Sequence, residues 1–441
     1  MKIKCKDSQI YMKKNILVLG NGGREHAFVW SLMKDQQIDK IYCAPGNGGT
    51  QDIATNINID INNPEEVLNF VKENNVDLTI VGPEAPLEKG IVDYFENENK
   101  LIFGPSKFAS QLETSKIFAR EVLNKCNVNQ PDFYICNTSK DIMNYFEKNG
   151  SPFVIKVDGL AAGKGVFVCH DLNDVNQAIV SIFDEDNFGK SSDKILIEEF
   201  LEGEELSVFA VCDGKNFKVL NTAQDHKRAF DDDLGPNTGG MGAYSPTPLS
   251  TTSLINEVKE EIYKPVLDYM SALGFPFKGF LYAGLMLVDG KPYVIEFNVR
   301  MGDPETQVVL PLLQSSLYDL IHKATIQNLD DYKIKNSDAT CVTIVLASNG
   351  YPNEYSIGQE ISIDDDPLVF HAGTIKNKNK VIVNGGRVIN VVGFGNDLDD
   401  AIVDAYENVK KIQFKDMYFR KDIGKKGLSY KSKNILEDKN G

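Results

Sequence analysis

The chain has 441 residues, 42% of them hydrophobic and 25% charged, which is the composition of a folded globular protein too long for one core, so about two to four domains are expected. A formal net charge of −16 and a pI near 4.9 exclude a surface built to hold nucleic acid, though not a local cationic pocket for a phosphorylated small molecule. No apolar run approaches the roughly 18 residues of a membrane span, and the first dozen residues lack the hydrophobic stretch of a signal peptide, so a cytoplasmic protein with no membrane partner is expected.

The opening residues read as a short extension of about 11 residues, with Met12 as an alternative start. Residues 14–20 (KNILVLG) are an apolar run that meets a glycine-rich turn and then a helical pattern through Ala27, Phe28, Trp30, Leu32 and Met33. The unit recurs through KIYCAPG (40–46), PEEVLNFVKENN (64–75), DLTIVGPE (77–84), a helix near 87–99 and LIFGPS (101–106). Strands alternating with helices predict a parallel sheet that takes its ligands at the carboxyl ends of the strands, in a first domain ending at about residue 114. From there to about 330 the pattern changes to PFVIKVDGLAAGKGVFVC (152–169), KILIEEFLEGEELSVFAVC (194–212) and FLYAGLMLVDGKPYVIEFN (280–298), which read as antiparallel hairpins with helices between them. A last unit of short β segments, CVTIVLAS, VFHAGT and GGRVINVVGFG, ends in a helix at about 398–413. The seven cysteines (Cys5, Cys43, Cys126, Cys136, Cys169, Cys212 and Cys341) form no C-x-x-C pair and suggest neither a zinc site nor a disulfide framework.

The segment VIEFNVR (294–300) carries the most chemistry. Alternation along a strand puts Glu296, Asn298 and Arg300 on one face and Ile295, Phe297 and Val299 on the core face. A carboxylate beside an amide oxygen suits a hard cation such as Mg²⁺, and the adjacent arginine offers a fork for a carboxylate or acyl phosphate. Alone, the heptapeptide reads equally well as a half-buried strand with a polar outer face. The preceding strand, GFLYAGLMLV (279–288), has no acid, so phosphate oxygens and water are expected to complete a metal shell.

Other motifs are weaker singly. GNGGREH (20–26) lacks the third glycine of a dinucleotide fingerprint, where Glu25 stands, and the second strand offers no acid for a ribose; what remains is a helix N-terminus able to seat a phosphate, with Arg24 and His26 nearby. His26 alone could be a surface histidine early in a helix. DGLAAGKGV (158–166) fails as a P-loop, because Gly159 and Gly163 enclose three residues and Gly165 follows Lys164, yet it can form a flap closing over phosphates with Lys156 as a second cation. By itself Lys156 reads as a solvated lysine. ILIEEFLEGEE (195–205) could carry adenine on its main chain and ribose on Glu205, or be a charged hairpin end. QDHKR (224–228) and GPNTGGMGAYSP (235–246) read as a long functional loop.

Together with APGNGGT (44–50), VGPEAPL (81–87), IEFNVRMGDPET (295–306), ASNGYP (347–352), HAGT (371–374) and GGRV (385–388), these motifs resemble, in order and over residues 14–424, the glycinamide ribonucleotide synthetase (phosphoribosylamine–glycine ligase) family of the ATP-grasp superfamily. The resemblance implies an α/β and α+β multidomain fold: an N-terminal parallel-sheet domain (1–114), a central ATP-grasp domain (115–330) with a mobile lid at about 127–194, and a small, mostly β C-terminal domain (331–441). It implies ATP and Mg²⁺ (or Mn²⁺) as cofactors, and glycine and 5-phosphoribosylamine as substrates joined through glycyl phosphate in purine biosynthesis, in a monomer or weak homodimer. By matching motif, Lys116 and Lys156 are expected on the ATP phosphates, with Gly163, Lys164 and Gly165 as the closing loop. Glu198, Glu199, Phe200 and Leu201 are expected around adenine, Glu205 on ribose, and Glu296 and Asn298 on the metal. Phosphoribosylamine is expected against Gly22, Gly23, Arg24, Glu25 and His26, with Pro83 and Glu84 near its sugar; Asp225, Lys227, Arg300 and Gly302 are expected around glycine and the acyl phosphate. The runner-up is another ligase of the superfamily, such as a carboxylase activating bicarbonate; a nucleotide-sensing protein that has lost catalysis is disfavoured by the intact Glu296, Asn298 and Arg300 set.

Overall fold

The structure is a computed structural model that describes residues 13–161, 165–185, 187–189 and 194–430. The N-terminal extension with Met12, and Gly163 and Lys164 of the flap, therefore lie outside the described residues. Strands β1 (Lys14–Gly20), β2 (Ile38–Pro45), β3 (Thr55–Asn56), β4 (Leu78–Val81) and β5 (Ile102–Phe103) make the expected parallel sheet, in the order β3-β2-β1-β4-β5. Helices cover both faces of such a sheet, so its central strand is apolar on both sides. Leu17 and Leu19 enter one hydrophobic core, Ile16 and Val18 another, and all four are fully buried. Helix α1 (Gly23–Leu32) starts right after β1, at the point where the strand order reverses and a ligand crevice is expected. The helix expected near 87–99 is broken in two at Gly90, whose φ of 82° suits a residue without Cβ.

The central part holds two sheets. Strands β6 (Phe133–Cys136), β7 (Phe153–Val157), β8 (Val166–Cys169) and β9 (Ile195–Glu199) form a small antiparallel sheet, order β6-β9-β7-β8, with its own core around Ile142, Phe153, Ile155 and Val175. A larger sheet contains β10 (Glu204–Asp213) and β11 (Phe217–Val219). After the short strands β12 (Gln224–Asp225), β13 (Arg228–Phe230), β14 (Leu234–Asn237) and β15 (Gly242–Ser245), it is completed by β16 (Lys278–Val288) and β17 (Lys291–Asn298), in the order β11-β10-β16-β17. The stretch 194–212, expected as a hairpin, instead sends β9 and β10 to different sheets, so residues 200–203 form a connector between them. The 280–298 hairpin is present; its turn at Asp289 and Gly290 has φ of 49° and 78°, the left-handed pair of a type I′ turn.

The expected loop through 224–246 is largely strand. β13 pairs with β14, and β12 pairs with β15, which in turn lies antiparallel to β18 (Thr340–Ser348). The C-terminal sheet therefore takes in strands of the central segment and continues through Arg387–Gly395 and Val369–His371, under the helix Leu398–Val409. Asp231, Asp232 and Asp233, for which the sequence suggests no role, dock the last described residues. Asp233 meets Arg420 and Lys426, the Asp232 N–H donates to Asp422, and Asp231 accepts from the Lys421 N–H. No helix of the described residues is long and apolar enough to cross a membrane, and the six cysteines among them are free thiols.

Candidate active site

A cleft of about 690 Å³ opens where the parallel sheet, the two central sheets and the β12–β15 region meet. Its floor is the end of β17, and a break in register shapes that floor. Glu296 pairs with Gly284, but Leu285 pairs with Val294, leaving Ile295 as the extra residue of a β-bulge. The bulge corrects the simple alternation expected for VIEFNVR. Val294, Phe297 and Val299 enter the core, while Ile295 lines the cleft beside Glu296 and Asn298. The carbonyl of Ile295 is turned to cations, accepting from Lys156 Nζ at 3.0 Å and Arg120 Nη2 at 2.7 Å. Opposite the metal candidate stands Gly284, where a Cβ would meet Glu296 Cγ at 2.8 Å, so the missing side chain makes room for the carboxylate.

Cations converge on this floor. Lys156 pairs with Glu198 at 2.7 Å, and Glu198 pairs on its other side with Arg120 at 2.7 Å. Glu198 is buried and lines the cleft wall between Lys156 and Arg120, holding Lys156 in place. Burial alone would lift its carboxyl, but Lys156 and Arg120 hold it below the ordinary range. Lys116 donates from Nζ to the Gly159 carbonyl at 2.8 Å, at the base of the glycine-rich flap; burial and the nearby Lys156 lower its pKa. Lys227 reaches Glu205 at 2.7 Å and Glu296 at 3.6 Å. Burial would raise Glu296, but Lys227, Lys156, Arg300 and Lys116 together pull it down to about 2, so it is a carboxylate at any ordinary pH.

Glu296 and Asn298 share the cleft face with a side-chain exposure of 41% at the carboxylate, and Asn298 Nδ2 has no hydrogen-bond partner, so no protein contact dictates how that amide turns. A carboxylate and an unengaged amide facing a cleft are a hard-oxygen donor pair that fits a divalent cation with several positions left for water and phosphate. Among the described residues no cluster of three or more His, Cys, Asp or Glu side chains could hold a metal by itself.

The remaining expected residues divide. Glu199, Phe200, Leu201, Glu205, Asp225, Lys227, Arg300, Gly302, Gly165 and Glu84 all line the cleft. The Glu199 N–H is taken by Asp132 O at 2.8 Å, so it is not available to a ligand. Of the turn 22–26 only Arg24 lines it. Gly22 N–H donates to Glu25 Oε2 at 2.7 Å and Arg24 N–H to Asp303 Oδ2 at 3.3 Å, so two carboxylates already occupy the helix N-terminus. Gly23 packs against Asn390 and Gln307. Pro83, the N-cap of the short helix Glu84–Glu88, is not among the residues lining the cleft, although Glu84 is. His26 is neither a surface group nor a cleft group: it is buried, its Nδ1 accepts from the His371 N–H at 2.8 Å, and its ring lies 5.6 Å from that of His371. Burial, with His371 adding repulsion, lowers the His26 pKa to about 3. HAGT and GNGGREH thus form a contact between the N-terminal and C-terminal parts.

Several cleft residues have no signal of their own in the sequence. Glu305 lies inside a quoted motif without a distinguishing pattern, Glu113 lies outside the quoted motifs, and Arg120 sits in a helix of ordinary composition. Glu305, buried under Gly302, has Oε1 3.4 Å from Ser207 Oγ, and Ser207 Oγ is 2.9 Å from the Tyr282 hydroxyl. Burial pushes Asp225 well above the usual carboxylate range, Lys227 opposing and Glu305, Glu205 and Glu296 adding to the rise. Arg387 donates from Nη1 to Asp303 O at 2.6 Å and to Gly239 O at 2.5 Å, tying the C-terminal sheet to the cleft rim.

A parallel-sheet domain, two antiparallel sheets closing on a lysine-rich cleft and an E-x-N hairpin at its floor define an ATP-grasp enzyme. Residues 14–113, 114–306 and 341–426 match, respectively, the N domain, the ATP-grasp (A) domain and the C domain of phosphoribosylglycinamide synthetase. The chain is 44% identical over 413 residues to a phosphoribosylamine–glycine ligase of Clostridium acetobutylicum, covering 93% of this chain and 99% of that one. It is 43% identical over 420 residues to one of Neisseria meningitidis serogroup B, covering 94% and 99%. A crystal structure of a phosphoribosylamine–glycine ligase from Thermotoga maritima superposes with a TM-score of 0.83 at 33% identity, covering 93% of this chain and all of that one. The biotin carboxylase domain of a Hydrogenobacter thermophilus 2-oxoglutarate carboxylase, with a TM-score of 0.71 at 14% identity over 92% of each chain, shares the fold alone. The chain belongs to the phosphoribosylglycinamide synthetase family.

Proposed function

We propose that this chain is an ATP-dependent ligase that joins glycine to 5-phosphoribosylamine, giving glycinamide ribonucleotide, ADP and phosphate in purine biosynthesis, and that it works in the cytoplasm. The observation that carries the reading is the meeting, on one bulged strand end, of Glu296 and Asn298 with Lys156, Lys227 and Arg300. No covalent nucleophile is needed, because phosphoryl transfer calls for positioning and charge neutralisation.

In this reading, adenine lies along the 199–201 connector, against the Glu199 carbonyl and the Leu201 main chain, with ribose on Glu205. Lys116 and Lys156 hold the phosphates, with Gly165 beside them at the cleft wall. A Mg²⁺ or Mn²⁺ ion on Glu296 and Asn298 would neutralise phosphate charge. Arg300 orients the glycine carboxylate, and Lys227 and Asp225 flank the oxygen that becomes glycyl phosphate. Phosphoribosylamine enters from the side of Arg24 and Glu84. For its phosphate to reach the N–H groups of the 22–26 turn, Asp303 has to swing toward Arg387, which already lies 3.5 Å from it. The small β6–β9 sheet acts as the lid, excluding the water that would hydrolyse an acyl phosphate.

ADP formation by the purified chain decides the matter. It is expected with glycine plus phosphoribosylamine; turnover instead with bicarbonate and a purine intermediate would assign the chain to a carboxylase reaction.

A further inference from the structure

Arg300 follows β17 directly, and its guanidinium lies between two carboxylates brought by the N-terminal third of the chain. Nε donates to Glu84 Oε2 at 3.2 Å, and Nη2 is 2.8 Å from Glu113 Oε1. The two acids are engaged differently. The Glu84 side chain is 29% exposed, whereas that of Glu113 is 8% exposed and gives its second oxygen, Oε2, to the Val299 N–H at 2.8 Å.

Glu113 thus holds both the guanidinium and the peptide just before it, and cannot turn to a ligand without releasing both. Glu84 stands at the cleft wall with Arg300 as its side-chain partner, and can exchange that contact for one to a substrate. Burial lifts the Glu113 carboxyl to about 7 against the pull of Arg300, so above that pH two carboxylates on one guanidinium give the trio a net negative charge, which repels an incoming carboxylate. One acid must leave before Arg300 can bind an anion, and the geometry makes Glu84 the one that leaves and Glu113 the one that stays.

We propose that Glu113 is a positioning residue for the ligase reaction, fixing Arg300 and the end of the metal-binding strand so that the guanidinium edge vacated by Glu84 faces the carboxylate of glycine. The proposal rests on the reading that Arg300 binds glycine. Glu113→Gln is close to isosteric but offers one oxygen where two are needed, so it can serve Arg300 or Val299 and not both.

The test compares the full-length wild type, Glu113→Gln, Arg300→Lys and the double variant, with KM for glycine and for ATP measured separately and folding followed by thermal melting. Loss of one charge-assisted hydrogen bond is expected to raise the glycine KM of Glu113→Gln about tenfold, with the ATP KM unchanged. That increase should vanish in the Arg300→Lys background. An unchanged glycine KM in Glu113→Gln, or penalties of the two changes that simply multiply, would overturn the proposal. If Glu113→Gln does not fold, Glu113→Asp, which keeps the charge but is too short to hold both partners, carries the same comparison. An Arg300→Lys enzyme with normal glycine KM would sink the assignment of Arg300 itself; a raised KM there with a normal one in Glu113→Gln sinks only the role of Glu113.

Discussion

Glu296 owes its charge to four cations and its freedom to a glycine. Because its pKa is held at about 2, the carboxylate needs no deprotonation to receive a metal, and metal titrations should show no loss of affinity from protonation of Glu296 itself down to about pH 5. Glu296→Ala is expected to lower turnover by roughly 10³-fold or more, with the melting temperature little changed because the side chain faces the cleft; full activity in the variant would remove the metal assignment. The buried histidines behave oppositely. His26, His226 and His371 titrate in the folded chain at about 3, about 4 and about 4, below the ordinary histidine value, so between pH 6.5 and 4 the unfolded chain takes up protons that the folded chain refuses. Stability is complete above that window and should fall by ~1.4 kcal/mol per pH unit per histidine as pH drops through it. Urea unfolding at a series of pH values should show the slope, and His26→Gln should make it shallower. The charged groups that matter most here were only partly visible in the sequence: Glu296 and Arg300 stand out because they are two strand positions from Asn298, whereas Glu113 meets Arg300 across 187 residues of chain, a pairing no local pattern encodes.

At the level of single elements, the β16–β17 hairpin shows why alternation misleads by one residue. The DG turn and the apolar runs fix the hairpin, but the bulge at Ile295 shifts Val294 into the core and turns a carbonyl to Lys156 and Arg120. A bulge has no sequence signature in a run of apolar residues. Gly284 is its partner device, and Gly284→Ala should push Glu296 from its place, cutting kcat with little loss of stability; wild-type kcat with the alanine present would show that the carboxylate has slack. The region 224–246 was legible as functional but not as strand. Its strands are two to four residues long, too short to show a period, and β15 finds its partner β18 about a hundred residues later.

Across the whole molecule, the parallel sheet follows from strand–helix alternation, though its strand order does not, and a chain of net charge −16 still gathers Lys116, Lys156, Lys227 and Arg300 into one cleft. What sequence order cannot display is the way the chain crosses back on itself. Strands β12 and β15, numbered within the central segment, are built into the sheet begun by β18, and β12 carries Asp225 while Lys227 follows two residues later. A scission in the 331–338 stretch would therefore leave one fragment with β15 as an open edge and the other with β18 bare, each inviting aggregation. Produced separately, the halves should precipitate or stay inert; produced in the same cell, they should reassemble and regain ligase activity. A soluble, nucleotide-hydrolysing front fragment on its own would mean that the interleaving is dispensable, and that the rear quarter is cargo instead of scaffold.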